Sequence, residues 1–316
     1  MRHPPDVSIV IPCYRSEQSL PHLARRIQLT MSAVDASFEL VLVEDGSPDG
    51  TWTVIQQLAR QHPFIRGIRL MRNYGQHNAV LCGIRAACGG IIVTMDDDLQ
   101  NPPEEIPRLL AKLSEGYDVV YGTPQEEAHG FLRDVASQVT KLVLQKSMGA
   151  ATARDVSAYR VFHTRLRNAF ADYRGPFVSI DVLLTWGAAR FTSIRVKNDP
   201  RTIGVSNYTL YKLIAHALNM MTGFGTAPLQ LASLLGFLFT LVGGATFLYV
   251  LGRYLVSGSP VQGFPFLASA IAIFSGVQLF ALGIMGEYLA RIHTRTTDRP
   301  SFAVDSMTDE GKRDAG

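Results

Sequence analysis

Three consecutive carboxylates, Asp96, Asp97 and Asp98, follow the apolar run GGIIVTM at residues 89–95. Adjacent carboxylates at a strand end repel one another unless a cation sits between them. A divalent metal answers that need, because hard cations take oxygen ligands and Mg²⁺ bridges one or two carboxylates to a substrate's phosphates. Asp96 and Asp98 are two apart on an extended segment and therefore point the same way. Asn101-Pro-Pro-Glu104 then predicts a helix start, with Asn101 as N-cap, proline at the first helical position and Glu104 three residues after the cap. Strand, acidic loop and helix start is where open α/β sheets bind ligands. A solvated acidic turn satisfies the same letters, so the surrounding elements must decide.

Those elements alternate. Val7–Pro12 is a short β-branched apolar run, a buried strand, and a helix opening at Ser16–Ser19 carries Leu20, Leu23, Ile27 and Met31 at helical spacing to about Ser32. Phe38–Val43 predicts a second strand ending in Glu44-Asp45-Gly46, with a helix to about Gln61. Further strands are expected at Ile65–Met71, Ile91–Met95, Asp118–Tyr121 and Phe191–Val196, with a helix over Gln76–Ala87. Alternation of this kind implies βαβ units and a mostly parallel sheet. No GxGxxG follows the first strand, which excludes the dinucleotide fingerprint; a nucleotide would be held by strand-end loops. The net charge of +3 is too small to argue for nucleic acid. Three cysteines without metal spacing (Cys13, Cys82, Cys88) read as reduced thiols of a cytosolic domain. The N-terminus lacks the apolar core of a signal peptide.

The apolar excess sits after Ala227. Leu229–Leu251 is uncharged over the span of a bilayer, and a second uncharged run covers Ser257–Gly286. A pair of buried core helices is the competing reading. Lys212 precedes the pair and Arg291, His293, Arg295 and Arg299 follow it, while the connecting loop carries only Arg253. The positive-inside rule then places both ends in the cytoplasm and makes a helical hairpin in the inner (cytoplasmic) membrane. Tyr208–Met221 has apolar residues at helical spacing, as an interfacial helix would. The expected division is a catalytic domain over 1–205, an interface helix over 206–226, a transmembrane hairpin over 227–290 and a loosely ordered cytoplasmic tail over 291–316.

VSIVIPCYRSEQSL, VEDGSPDGT, LMRNYGQHNAVLCGI and MDDDLQNPPEEIP, in this order and spacing, resemble family 2 glycosyltransferases with a GT-A domain, a Rossmann-like, mostly parallel α/β fold. DVSAYR at 155–160, RTIGVSNY at 201–208 and GIMGEYL at 283–289 are similar to the polyprenyl-phosphate glycosyltransferases of that family. NYGQH and DLQNPPEEIP resemble in particular those members that place 4-deoxy-4-formamido-arabinose on undecaprenyl phosphate. The QxxRW motif of processive polysaccharide synthases is absent.

The resemblance implies roles. Pro12 and Tyr14 match residues that pack the nucleotide base and ribose, and Asp45 matches the acid that hydrogen-bonds the base. Asp96 and Asp98 match the DxD that holds the metal and donor diphosphate, with Gln100 as a further metal contact. Asp155, Tyr159 and Arg160 match a segment beside the donor sugar and acceptor. Arg201, Ser206 and Tyr208 match a loop that meets the phosphates. Three positions depart from the pattern: Glu44 stands where Asp is frequent, Asn207 where Lys is common, and Asp97 where a small residue is usual, as a further donor-site carboxylate or an exposed one.

The activity implied is metal-dependent (Mg²⁺ or Mn²⁺), inverting transfer of a sugar, from a UDP-sugar, to polyprenyl (undecaprenyl) phosphate in cell-envelope synthesis. The partners are then a nucleotide-sugar donor, a polyprenyl phosphate acceptor and the membrane, with no nucleic acid and a homo-oligomer, a tetramer by analogy. The alternatives are a membrane-tethered transferase acting on a polysaccharide or protein, and a non-catalytic scaffold of the same fold. Bland readings remain beside the functional ones: Asp45 as a turn cap, Ser16 with Glu17 as a helix cap, and Asp155 as an ion-pair partner of Arg154 or Arg160.

Overall fold

The structure is a computed structural model that describes residues 4–124, 155–175, 178–197, 199, 227–257, 264–297 and 299–308. The chain divides into two compact units: residues 1–214 with 298–316, and residues 215–297.

The first unit is built on β1 (Val7–Cys13), β2 (Phe38–Glu44), β3 (Ile65–Leu70) and β4 (Ile91–Thr94), separated by α1 (Leu20–Ser32), α2 (Thr51–Gln61) and α3 (Gln76–Ala86). After β4 come a 3₁₀ turn (Pro103–Glu105), α4 (Ile106–Ser114), β5 (Val119–Pro124), β6 (Arg160–His163), a second 3₁₀ stretch (Thr164–Phe170), α5 (Ile180–Leu184) and β7 (Phe191–Val196). A last strand, β8 (Val304–Met307), follows the second unit. Among the described residues these form one eight-stranded sheet in the order β7-β5-β6-β4-β1-β2-β3-β8.

β1 pairs in parallel with both β2 and β4, and β2 with β3, which is the expected mostly parallel core. β1 is buried along its whole length, as a strand covered by helices on both faces must be. The face of α1 carrying Leu20, Leu23, Ala24, Ile27 and Met31 is buried in that core. Each large apolar side chain so removed from water contributes about 1.5–3 kcal/mol. A Cβ on Gly83 would fall 2.2 Å from Val10 Cγ1, so α3 needs glycine there to approach β1. Cys13 and Cys82 are buried free thiols, Cys88 an exposed one, and burial pushes the Cys82 thiol up to about 12.

Four sequence expectations are corrected. Helix α1 starts at Leu20; Ser16 heads a turn in which the Ser19 and Leu20 N–H groups donate to its carbonyl. Asn101 does not cap the helix after the acidic loop: Pro102 precedes the 3₁₀ turn with extended backbone, and Glu104 takes two hydrogen bonds from Arg26 instead. β6 was not foreseen, and it inserts antiparallel between β4 and β5. The tail is not loose from Arg299 to Thr308. Its β8 adds an antiparallel edge to β3, Met71 N–H donates to Ala303 O, and Gly67 N–H donates to Thr308 Oγ1.

The second unit holds two long helices, α6 (Ala227–Ser257) and α7 (Phe264–Thr296). Leu229–Val256 and Ile273–Thr294 are long and apolar enough to cross a membrane, with mean hydropathy 2.1 and 1.4. The most apolar 18-residue window of each is 0% buried, unlike the mostly buried core helix of a soluble domain. The two helices meet through Phe239 and Phe274, edge to face at 5.8 Å. The expected interface helix over 206–226 lies outside the described residues.

Candidate active site

Parallel strands β1, β2 and β4 all end at one edge of the sheet, and the loops that leave them carry the candidate residues. From β1 comes Pro12, buried within the strand, then Tyr14, whose ring is exposed, Arg15 and Ser16. Arg15 is held at φ 59°, a left-handed conformation that side chains other than glycine adopt only at a cost. Its guanidinium sits 5.5 Å from the Tyr14 ring centroid.

From β2 comes Asp45, buried, accepting hydrogen bonds from the backbone N–H of Tyr74 (2.7 Å) and Gly75 (2.9 Å). Burial pushes its carboxyl above the ordinary value, against the pull of those two N–H groups. Gly46 follows at φ 63°, where an added Cβ would strike the backbone of Asn73 at 2.3 Å. Asp45 thus organises the loop after β3 and keeps further lone pairs on both oxygens. Glu44, just before it, is buried with Ser47 N–H on one oxygen and Arg69 Nε 3.3 Å from the other; burial raises it as well.

From β4 comes the acidic turn. Asp96 Oδ1 accepts from Gln76 Nε2 at 2.6 Å, at the first residue of α3. Asp98 Oδ1 accepts from Gln100 N–H at 3.1 Å, and Leu99 between them has φ 64°. Asp97 turns the other way, toward the β1 loop, and accepts from Tyr14 N–H at 3.2 Å and from the Ser16 hydroxyl. Burial pushes its carboxyl up, opposed by the Ser16 and Tyr14 donors, and the charge of Asp98 adds to the rise. Gln100 is pinned through its carbonyl, which accepts from Asp199 N–H at 3.0 Å.

The segment before β6 lies alongside. Thr94 Oγ1 donates to Ala158 O (2.8 Å), and Tyr159, fully buried, donates its hydroxyl to Pro102 O (2.9 Å). Asp155 accepts from Ser193 Oγ at 2.7 Å and has Arg195 Nη2 at 3.6 Å, so its side-chain partners among the described residues come from β7 and not from Arg160; Arg154 lies outside the described residues. Arg160 belongs to the segment that the resemblance sets beside the donor sugar and acceptor. It is buried, and its Nη1 donates to Asp181 Oδ1 at 2.5 Å, an oxygen that also accepts from the Tyr121 hydroxyl at 3.1 Å. A guanidinium so committed holds its own segment in place. Arg201, Ser206 and Tyr208 lie outside the described residues.

Among the described residues no three His, Cys, Asp or Glu side chains converge as a self-sufficient metal cage. A Mg²⁺ or Mn²⁺ that takes part of its shell from a diphosphate and water needs only one or two protein carboxylates, and the hard oxygens of Asp96 and Asp98 fit it. Sequence reading missed Ser16 and Gln76 as partners of the turn. Gln76 stood inside the quoted NYGQH motif, but nothing in the letters gave its contact.

The family model for glycosyl transferase family 2 matches residues 8–174. An undecaprenyl-phosphate 4-deoxy-4-formamido-L-arabinose transferase from Pseudomonas aeruginosa is 36% identical, over 95% of this chain and 90% of its own. The transferase of the same name from Sodalis glossinidius is 34% identical over 96% and 94%. Among solved structures, glucosyl-3-phosphoglycerate synthase from Mycobacterium tuberculosis, crystallised with Mn²⁺, UDP-glucose and phosphoglyceric acid, superposes with a TM-score of 0.52 at 18% identity. That match covers 69% of this chain and 78% of that one and shows the GT-A fold. The chain is therefore a glycosyltransferase: it belongs to glycosyl transferase family 2, among the polyprenyl-phosphate glycosyltransferases.

Proposed function

We propose that the protein transfers a sugar from a UDP-sugar to undecaprenyl phosphate, with inversion, at the cytoplasmic face of the inner membrane. The observation that carries this is the convergence, at one sheet edge, of the Tyr14 loop, Asp45 and the Asp96–Asp98 turn, in a chain that also carries two helices long enough to span a bilayer. The relatives' names supply the acceptor class. Pro12, Tyr14 and Asp45 would hold the nucleoside. Asp96 and Asp98, with Gln100, would hold Mg²⁺ or Mn²⁺, which supplies charge neutralisation for the departing diphosphate.

The acceptor is already an anion at neutral pH, since a phosphate monoester has its second pKa near ~6. A strong general base is not required. Asp155, fixed by Ser193 and Arg195, orients the acceptor or faces positive charge growing at the sugar carbon. Arg201, with Ser206 and Tyr208, places the acceptor phosphate, a two-pronged task suited to a guanidinium. Thr94 and Tyr159 hold the 155–160 segment beside the acidic turn, and Arg160 ties its far end to Asp181. A single in-line displacement inverts the anomeric centre.

The hairpin topology gains support from connectivity. β8 follows α7 and pairs with β3, so both ends of the α6–α7 pair lead into one sheet. An even number of crossings satisfies that, and a reporter fused after Gly316 should read cytoplasmic. The function is tested by screening UDP-sugars for UDP release by the purified full chain with Mn²⁺ and undecaprenyl phosphate. One sugar should give turnover that stops when the lipid phosphate is omitted. Equal turnover on soluble glycans, or none on the lipid with any UDP-sugar, would overturn it.

A further inference from the structure

The middle carboxylate of the acidic turn does something its neighbours do not. Asp96 and Asp98 are bonded by Gln76 and by the turn's own Gln100 N–H. Asp97 reaches across to the loop after β1, more than eighty positions earlier in sequence, and takes the Tyr14 N–H and the Ser16 hydroxyl on one oxygen.

That loop needs holding. Arg15 has a positive φ, and such strain persists only where the surroundings over-determine it. Every N–H from Tyr14 to Ser16 is taken by a side chain from another segment: Arg15 N–H by Ser47 Oγ (2.8 Å), Ser16 N–H by Thr51 Oγ1 (2.9 Å) and Tyr14 N–H by Asp97. Ser47 belongs to the connection after β2, and Thr51 is the first residue of α2. Asp97 alone of these three ties the loop to the turn that carries the metal-site acids.

We propose that Asp97 is a positioning residue for the nucleotide: its carboxylate clamps the Tyr14–Ser16 loop to the acidic turn, so that the groups holding the nucleoside and the groups holding the diphosphate's cation keep a fixed separation. This rests on the nucleotide reading above and assigns Asp97 no contact with metal or donor. The role asks for an acceptor oxygen, not for a charge. An asparagine retains that oxygen, whereas an alanine leaves the Tyr14 N–H and the Ser16 hydroxyl without it.

The test uses the full chain in detergent, with UDP binding by calorimetry at saturating Mn²⁺, Mn²⁺ affinity measured separately, and steady-state transfer. Asp97→Ala should weaken UDP and raise donor KM by about tenfold while kcat changes less than about threefold. Asp97→Asn should bring both back to within about threefold of wild type. Ser16→Ala should weaken UDP in the same direction and add little on top of Asp97→Ala, as for two members of one contact. An Asn variant as weak as the Ala variant, or a loss of Mn²⁺ affinity in both, would overturn the clamp and make Asp97 a ligand. If the wild type itself fails to bind UDP, the nucleotide reading falls, and the clamp is judged by amide hydrogen exchange. Faster exchange at Tyr14–Ser16 in Asp97→Ala, with wild-type exchange in Asp97→Asn, supports it; no change in Asp97→Ala refutes it.

Discussion

The same parallel strands carry carboxylates at both ends, and the two ends treat them differently. At the edge where β1 and β2 begin, Glu39 is buried and fully provided for. It accepts from Ser8 Oγ (2.6 Å), Cys88 N–H (2.6 Å) and Arg66 Nη1 (2.9 Å), a guanidinium that balances its charge. At the opposite edge Asp45 and Asp97 are held by backbone N–H groups and a hydroxyl, and no Lys or Arg forms an ion pair with either among the described residues. Burial pushes both of those acids up. One edge is closed in charge and serves stability. The other gathers Asp45, Asp96, Asp97 and Asp98 at the strand ends, hard oxygen ligands of the kind a divalent cation takes.

The comparison is broken most directly at Asp98. Asp98→Ala should lower kcat by about 10²–10³-fold, the usual scale for one electrostatic contact to a transition state. It should leave the melting temperature unchanged or slightly raised, since a like charge beside Asp97 is removed. A lower melting temperature with intact turnover would make the acidic turn structural. The converse holds at Glu39. Glu39→Ala removes the carboxylate that balances Arg66 and accepts from the Cys88 N–H, and breaking such a pair costs about 3 kcal/mol, near the low end because Arg66 is a fifth exposed. Melting should fall by several degrees. Turnover per folded molecule should stay as in wild type, and a drop in kcat would erase the division of labour between the edges.

Metal sharpens the same contrast. Mn²⁺ at 100 times its Kd stabilises a folded protein that binds it by about 2.7 kcal/mol. The Mn²⁺-induced rise in melting temperature should persist in Glu39→Ala and vanish in Asp96→Ala and Asp98→Ala. Persistence in both Asp variants would remove the cation from that turn.

How legible the molecule was follows the same line. β1 and β2 are buried along nearly their whole length, so they write themselves as unbroken apolar runs, and their ends were readable to within a residue or two. β6 has four residues beginning and ending in Arg160 and His163, too short for a period and paired antiparallel inside a parallel sheet. β8 is a half-exposed edge strand, VDSM, where polar residues are tolerated and no alternation is enforced. The acids of the site were legible because carboxylates at strand ends are chemically conspicuous. Their partners were not: Ser16 and Gln76 act across 81 and 20 positions, and pairing at such separations leaves no mark on local spacing. Arg160 stood in a recognisable motif, whereas Asp181, which engages it, lies in a stretch with none.

The smallest effect expected is at the rim of the site, where Arg26 grips Glu104 through Nε (3.0 Å) and Nη2 (2.8 Å) and reaches Asp199 at 3.3 Å. The hydrogen bond from Arg26 holds the Glu104 carboxyl below its ordinary value of 4.5, despite partial burial. A depressed folded value means that the contribution to stability is complete above the unfolded value and disappears as pH falls through the folded one. Glu104 is half exposed, so solvent screening limits the pair to about 0.5 kcal/mol. Glu104→Gln should therefore melt about 1–2 °C below wild type at pH 7. The gap should close as pH drops below 4.5, and it should shrink in high salt. A gap that survives at low pH would mean that Glu104 acts by shape and not by charge. A gap much larger than this would mean that the Arg26 grip on Asp199, and with it the Gln100 carbonyl that Asp199 N–H engages, is part of what keeps the acidic turn in place.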